Sequence, residues 1–230
     1  MSKTMRRKIL VVIGLCLMGG SPFSPALGQD VGELIRVIDE QQRKIQTITA
    51  SFSQTKEISL VKTPLLSSGL VKFKRPAQIY WHYSKPELME VALDGKTIWM
   101  YSPGSAQAEK YSFGRSKRMA QSLDPLLAIF QKTLGQLTET YTIFYEGLEA
   151  DRLHRFHLQP REEKVQKFLS RLDLGVDKIS GAIIRFKMVE ANGDCLTLDF
   201  KNLKINAPLT DDDLKIKIPP SVKVQDQSMP

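Results

Sequence analysis

The side chains best able to do chemistry in this sequence are few and poorly arranged for it. The three histidines are His82, His154 and His157. His154 and His157 stand three apart in an alternating stretch, so a strand points them to opposite faces and they make a poor metal pair. Gly95-Lys96-Thr97 resembles the end of a phosphate-binding loop. The first glycine of that motif would fall at Glu90 and the preceding segment is not glycine-rich, which leaves a hairpin turn as the better reading. Asp211-Asp212-Asp213 lacks the further spaced oxygen ligands of a calcium loop and reads as a solvated turn. Cys195 with a histidine is a nominal dyad only, because nothing around it in sequence would lower a thiol pKa. No Gly-x-Ser-x-Gly nucleophile elbow occurs. The inventory points away from an enzyme and from any metal or cofactor, and toward a binding protein.

Composition narrows the class. The 230 residues are 42% hydrophobic and 25% charged, ordinary for a globular chain. Residues 1–28 read as a cleaved secretory signal peptide. Lys3, Arg6, Arg7 and Lys8 form a basic start, Ile9 to Met18 an apolar run, and Ala26-Leu27-Gly28 a cleavage site. An apolar run this short does not span a bilayer, which takes ~20 residues. Cys16 follows Leu15 rather than a small residue, so it belongs to the apolar run and marks no lipidation site. Removing the four basic residues of that segment leaves 29 basic against 25 acidic, a mild excess. With no basic stripe interleaved with aromatics, nucleic acid is not an expected partner. No other long apolar run follows, so residues 29–230 are expected to form a single soluble domain without an integral membrane segment, in an exported compartment.

The elements of that domain follow from periodicity. Val31, Leu34, Ile35 and Ile38 recur at helical spacing, with Ile45 and Ile48 extending the stripe and Asp30 and Glu33 at capping-box spacing. This predicts a helix over about 31–46, with Arg36, Asp39, Glu40, Gln42 and Arg43 on its polar side. Alternating stretches then predict strands over 51–55, 69–74, 79–83, 89–93, 141–148, 153–158, 168–174, 183–189, 196–203 and 214–218. Asp94-Gly95 predicts a two-residue loop pairing Val91 with Ile98 and Met89 with Met100. Ala191-Asn192-Gly193 fits a three-residue loop pairing 188 with 196, 186 with 198 and 184 with 200, because the alternative register would set Arg185 and Lys187 among leucines. Residues 103–135 interrupt the sheet with a small-residue segment, a basic patch at Arg115, Lys117 and Arg118, and a short helix. Asp124 caps that helix, Pro125 opens it, and Leu126, Leu127, Ile129, Phe130 and Leu134 form its apolar side. Residues 160–166 predict a charged loop and the end from Ser221 a loose tail.

The stretch from Ser51 to Tyr111 resembles the LolA family of periplasmic lipoprotein carriers. The likeness lies in Ser51-Phe52-Ser53-Gln54, Gly69-x-x-x-Phe73-Lys74-Arg75-Pro76, Trp81-His82-Tyr83, Lys85-Pro86, Asp94 through Pro103, and Gln107-Ala108. Looser agreement continues through Leu198-x-Phe200-x-Asn202, Asn206 and Ile218-Pro219-Pro220. The resemblance implies a mainly β (α+β) fold: a curved, incomplete antiparallel β-barrel of about eleven strands, with an N-terminal helix and lid helices over its concave apolar face. It implies a monomeric periplasmic carrier that takes acylated lipoproteins from an inner-membrane ABC lipoprotein exporter to an outer-membrane lipoprotein receptor, without a cofactor. A carrier of another envelope lipid and a lipid-sensing envelope regulator share the fold and remain alternatives. By motif, Arg75 matches an arginine that holds the lid closed through helix carbonyls, and Ile79, Trp81 and Val91 match inward positions. Alternation independently puts Phe73, Ile79, Trp81, Tyr83, Met89, Val91, Leu93, Ile98 and Met100 on the candidate lipid-binding face, with Leu126, Leu127, Ile129 and Phe130 on the lid helix.

Overall fold

A computed structural model of the chain describes residues 31–112 and 125–227. The expected signal peptide, the Asp30 and Asp124 caps and the basic patch at Arg115, Lys117 and Arg118 lie outside the described residues. The unit from Val31 onward is built on one open sheet with strand order β12-β6-β5-β4-β3-β2-β1-β11-β10-β9-β8-β7. The strands are β1 (Thr47–Glu57), β2 (Leu65–Lys74), β3 (Gln78–Lys85), β4 (Met89–Leu93), β5 (Thr97–Ser102), β6 (Gln107–Ser112), β7 (Tyr141–Glu149), β8 (Leu153–Pro160), β9 (Leu169–Asp177), β10 (Ile183–Glu190), β11 (Cys195–Ile205) and β12 (Val224–Asp226). Neighbours from β6 to β7 pair antiparallel, and only the short β12 lies parallel on the β6 edge. The eleven antiparallel strands match the number that the resemblance implies, and the two ends of the sheet do not meet.

Alternation decides the faces. Val71 pairs Trp81, Phe73 pairs Ile79, and Trp81 pairs Val91, so the apolar sets of β2, β3 and β4 share one surface. Phe52 opposite Phe200, and Phe186 opposite Leu198 and Leu174, carry that surface across β1, β11, β10 and β9. Gly69 sits where this surface is tightest, because a Cβ there would fall 1.8 Å from the carbonyl oxygen of His82. The loop at Ala191-Asn192-Gly193 takes the three-residue register, with Phe186↔Leu198, Met188↔Leu196 and Gly193 at φ +90°.

The other turn differs from expectation. Leu93 pairs Ile98 and Val91 pairs Met100, with Asp94 N donating to the Thr97 carbonyl. The tight turn is therefore Gly95-Lys96 rather than Asp94-Gly95. The Asp94 carboxylate selects it by accepting from the amides of Lys96 and Thr97. The slip is two residues, so every side chain keeps its face.

Four helices cover the apolar face or its rim: α1 (Val31–Arg43), α2 (125–131), α3 (Leu134–Leu137) and α4 (Glu163–Gln166). α1 ends three residues short of the expected 46. Asn206 holds the chain there, its amide accepting from Gln46 N and donating to the Lys44 carbonyl, so Ile48 falls on β1. Asp39 and Gln42, expected on the polar side, are buried. Their positions continue the spacing of Ile35 and Leu34–Ile38 into the interior. The Gln42 side chain accepts from Leu134 N at 2.6 Å and donates to the Gly181 carbonyl at 3.0 Å, and Asp39 accepts from Gly135 N at 3.0 Å. These two side chains satisfy the otherwise orphaned amides at the start of α3. Thr133 and Gln136 complete a capping box there.

Four further expectations fail locally. The interruption over 103–135 contains strand β6. Residues 214–218 form no strand: a 3₁₀ turn at Asp212–Leu214 leads into an irregular strap over the outer face, with Asp211 bound to Lys74, Asp213 to Lys72, and Leu214 buried. The supposedly loose end supplies β12, and the charged loop at 160–166 includes α4.

Candidate functional site

The inner face gathers most of the residues that periodicity selected. Phe73, Ile79, Trp81, Leu93 and Ile98 are buried in the main apolar cluster, and Tyr83, Val91 and Met100 are packed partly buried against it. Met89 lies opposite Tyr83 on the same face but outside that cluster. From α2, Ile129 and Phe130 are buried, while Leu126 and Leu127 are partly buried. Phe52 and Phe200 belong to the same site and were not selected from sequence. Their signal was present in the alternation of Ser51-Phe52-Ser53 and Leu196-x-Leu198-x-Phe200, on strands that are distant in sequence and adjacent in space.

The centre of the site is a cage of rings. Trp81 lies 5.0 Å from Phe52 and 6.1 Å from Phe200 by ring centroid. Phe130 reaches down from α2 into this cage, 5.6 Å from Phe73, 5.8 Å from Trp81 and 5.8 Å from Phe200. Edge-to-face contacts of this kind add roughly 0.5–1.5 kcal/mol each beyond area burial. Phe130 is thus a plug, occupying with one side chain the place where the inner face is most aromatic. Polar groups on this face are few. The Tyr83 hydroxyl donates to Gln54 Oε1 at 3.2 Å, and burial pushes its pKa up to about 12, so it stays neutral.

Arg75 ties the cover down. Its Nε donates to the Ile45 carbonyl at 2.7 Å, Nη2 to Gln42 at 3.1 Å and Nη1 to Gln131 at 3.4 Å. The acceptors are carbonyls at or just past the C-terminal ends of α1 and α2, where helix dipoles favour a cation. A planar fork with five donors can serve both helices at once, which a lysine cannot. Beneath the latch only a crevice of about 30 Å³ remains, between Phe73, Arg75, Ile129 and Phe130. A larger cavity of about 470 Å³ flanks α2 and is lined by Pro125, Leu127, Tyr141, Val165 and Phe168 among others.

The histidines stay apart, as alternation requires. His154 is buried beside the Tyr145 hydroxyl and His157 faces Asp173. Cys195 is a free, partly exposed thiol at the β10–β11 turn. Among the described residues, no group of three metal-ligating side chains converges, and no helix is long and apolar enough to cross a membrane.

An open antiparallel sheet whose apolar face is stoppered by short helices and latched by one arginine defines a sheet-and-plug binding fold. The chain belongs to the LolA family: the family profile described as outer membrane lipoprotein carrier protein LolA matches residues 43–217. Among its relatives, the outer-membrane lipoprotein carrier protein of Idiomarina loihiensis is 25% identical over 186 residues, 81% of this chain and 84% of the relative. That of Pasteurella multocida is 25% identical over 193 residues, covering 81% and 85%. Two solved structures share the fold at 14% identity. An uncharacterized conserved protein of Thermus thermophilus has a TM-score of 0.55, over 86% of this chain and 99% of its own. MucB has a TM-score of 0.51, over 83% and 64%.

Proposed function

We propose that this protein carries acylated lipoproteins across the periplasm, sheltering their acyl chains on the inner face of the sheet after α2 has swung away. The observation that carries the reading is the seat of Phe130. A side chain on a short, partly buried helix fills the aromatic cage of Phe73, Trp81 and Phe200. An acyl chain and the plug then compete for one surface.

The energetics require such competition. Burying a methylene is worth ~0.8 kcal/mol, so three long chains are worth tens of kcal/mol against water, and a wet groove could not hold them. A permanently open dry groove would hold them too well. A cover that satisfies the same apolar surface in the empty state subtracts from the net affinity and lets cargo leave. Arg75 sets that balance through its three carbonyl contacts.

In this reading the first 28 residues are removed after Gly28. The mature chain loads from an inner-membrane ABC exporter, unloads to an outer-membrane receptor, acts without a cofactor and catalyses no covalent step. Native mass spectrometry of protein released gently from the periplasm tests it. The expected species is the chain beginning at Gln29 in complex with an acylated polypeptide. Free lipid alone would point to a carrier of another envelope lipid, and protein that never retains any acyl species would overturn the carrier reading.

A further inference from the structure

The apolar site contains one polar group with nothing to satisfy it. Among the described residues, three buried side-chain atoms lack a hydrogen-bond partner: Gln41 Oε1, Trp81 Nε1 and His82 Nδ1. Gln41 belongs to α1, and His82 points away from the inner face toward Glu90, 3.7 Å off. Trp81 alone is in the cage, 6% exposed, its ring framed by Phe52, Tyr83, Phe130 and Phe200. The Tyr83 hydroxyl beside it is already spent on Gln54.

An indole N–H can only donate. Shut among rings it forfeits its hydrogen bond to water, a loss that an apolar group in its place would not incur. The closed state therefore carries a local penalty at the spot the plug must vacate. A ligand made only of hydrocarbon would leave the penalty in place. A ligand bringing an acceptor to the cage would remove it, and the acceptor intrinsic to an acyl chain is the carbonyl oxygen of its ester or amide.

We propose that Trp81 is the specificity-determining residue of the site, its Nε1–H donating to an ester or amide carbonyl of the bound acyl group once Phe130 has withdrawn. This rests on the reading that the inner face takes acyl chains and adds to it. The carbonyl end of at least one chain is registered at β3, and the site distinguishes acyl esters and amides from ethers or bare alkyl chains. The aromatic cage supplies the desolvation that makes one such hydrogen bond count.

The test compares 1,2-dioctanoylglycerol with its 1,2-dioctyl ether, equal in chain length but lacking carbonyls. The unaltered protein should bind the ester roughly fivefold to tenfold more tightly, the worth of one buried hydrogen bond. Trp81→Phe keeps an aromatic side chain, removes the donor and should bind both probes with equal affinity. A measurement on the unaltered protein removes dependence on that variant's folding. The chain has two tryptophans. The ¹⁵N-indole resonance of Trp81 should shift downfield with the ester and not with the ether. Trp99, stacked under Lys110 on the other face, should report no such shift with either probe. Equal affinity for ester and ether in the unaltered protein, or an indole resonance blind to the difference, overturns the proposal while leaving the carrier reading intact. Failure of both probes to bind overturns the carrier reading, and this proposal with it.

Discussion

The cover over the inner face has two halves, and they are held in different ways. α3 is fixed by side chains: Leu134 and Leu137 are fully buried, Gln42 and Asp39 bond its first amides, and a capping box closes its start. Among the described residues, α2 receives no comparable polar pins from α1. Leu126, Leu127 and Ala128 are only partly buried, and Arg75 reaches its end through one backbone carbonyl at 3.4 Å. The sheet beneath is divided likewise. Phe156, Leu158, Leu172, Leu174 and Phe186 on β8, β9 and β10 are almost wholly buried, whereas Tyr83, Val91 and Met100 on β3, β4 and β5 retain partial exposure. One half is a core in the ordinary sense. The other is the core that, in the proposed reading, a ligand would displace.

The comparison breaks most visibly at Leu134. Leu134→Ala should cost ~2–5 kcal/mol of global stability, read as a lowered urea midpoint with an unchanged m-value. A loss well below that would mean that α3 is as detachable as α2.

Arg75→Leu should act locally. Only the bond to the Gln131 carbonyl is made to α2, so its loss should lower the free energy of opening α2 by about 1 kcal/mol, a roughly fivefold loss of amide protection. The Lys132 amide, bonded to Ala128, should report that loss. The Leu137 amide, bonded to Thr133 in α3, should keep its protection. In transfer assays with a lipopeptide, release should suffer more than capture, because the lid no longer repays the cargo's departure. A variant that loads and unloads like the parent would sink the role given to Arg75.

Phe130→Ala sharpens the same line. A phenylalanine locked in a core costs ~3–5 kcal/mol on truncation. If α2 opens without unfolding the sheet, the global loss is capped by its docking energy and should be about 1 kcal/mol, with tighter binding of a fluorescent apolar probe. Equilibrium unfolding and probe titration on one preparation measure both. A full core-sized loss with no gain in probe binding would make Phe130 ordinary core.

Much of this division could be read from the residues, and what escaped did so for physical reasons. The inner face was legible because a strand buried on one side must alternate, and Phe73, Ile79, Trp81 and Val91 do. The Gly95-Lys96 turn was missed by one residue, and the register by two, because the Asp94 carboxylate, rather than backbone preference, chooses where the chain reverses. Asp39 and Gln42 were misplaced because polar residues on a helix are assigned to solvent by default. Their four-residue spacing from Ile35 and Ile38 put them in phase with the apolar stripe, and a polar residue in that phase is a pin awaiting a backbone partner. Residues 214–218 of the strap were misread as a strand because their lysine–isoleucine alternation mimics one. The strap's real anchors, Lys72 and Lys74, are well over a hundred positions away.

The smallest expected effect concerns the fixed half. His154 shares a face with Phe156 and Leu158 and has Nδ1 3.0 Å from the Tyr145 hydroxyl. Burial first, and then the charge of Lys178, hold its pKa below the ordinary 6.5. The unfolded chain therefore takes up a proton near pH 6.5 that the folded chain refuses until lower pH. The contribution of neutral His154 is complete above pH 6.5 and declines as the pH falls toward its folded pKa. Stability should fall slightly between pH 7 and 5, and His154→Asn should flatten that part of the stability profile. The loss should fall on β7 and β8 and leave α2 protection unchanged. A mutant profile as steep as the parent's would assign the pH dependence to other groups. A parallel loss of protection in α2 would mean that the two halves of the cover are coupled, which their separate anchors argue against.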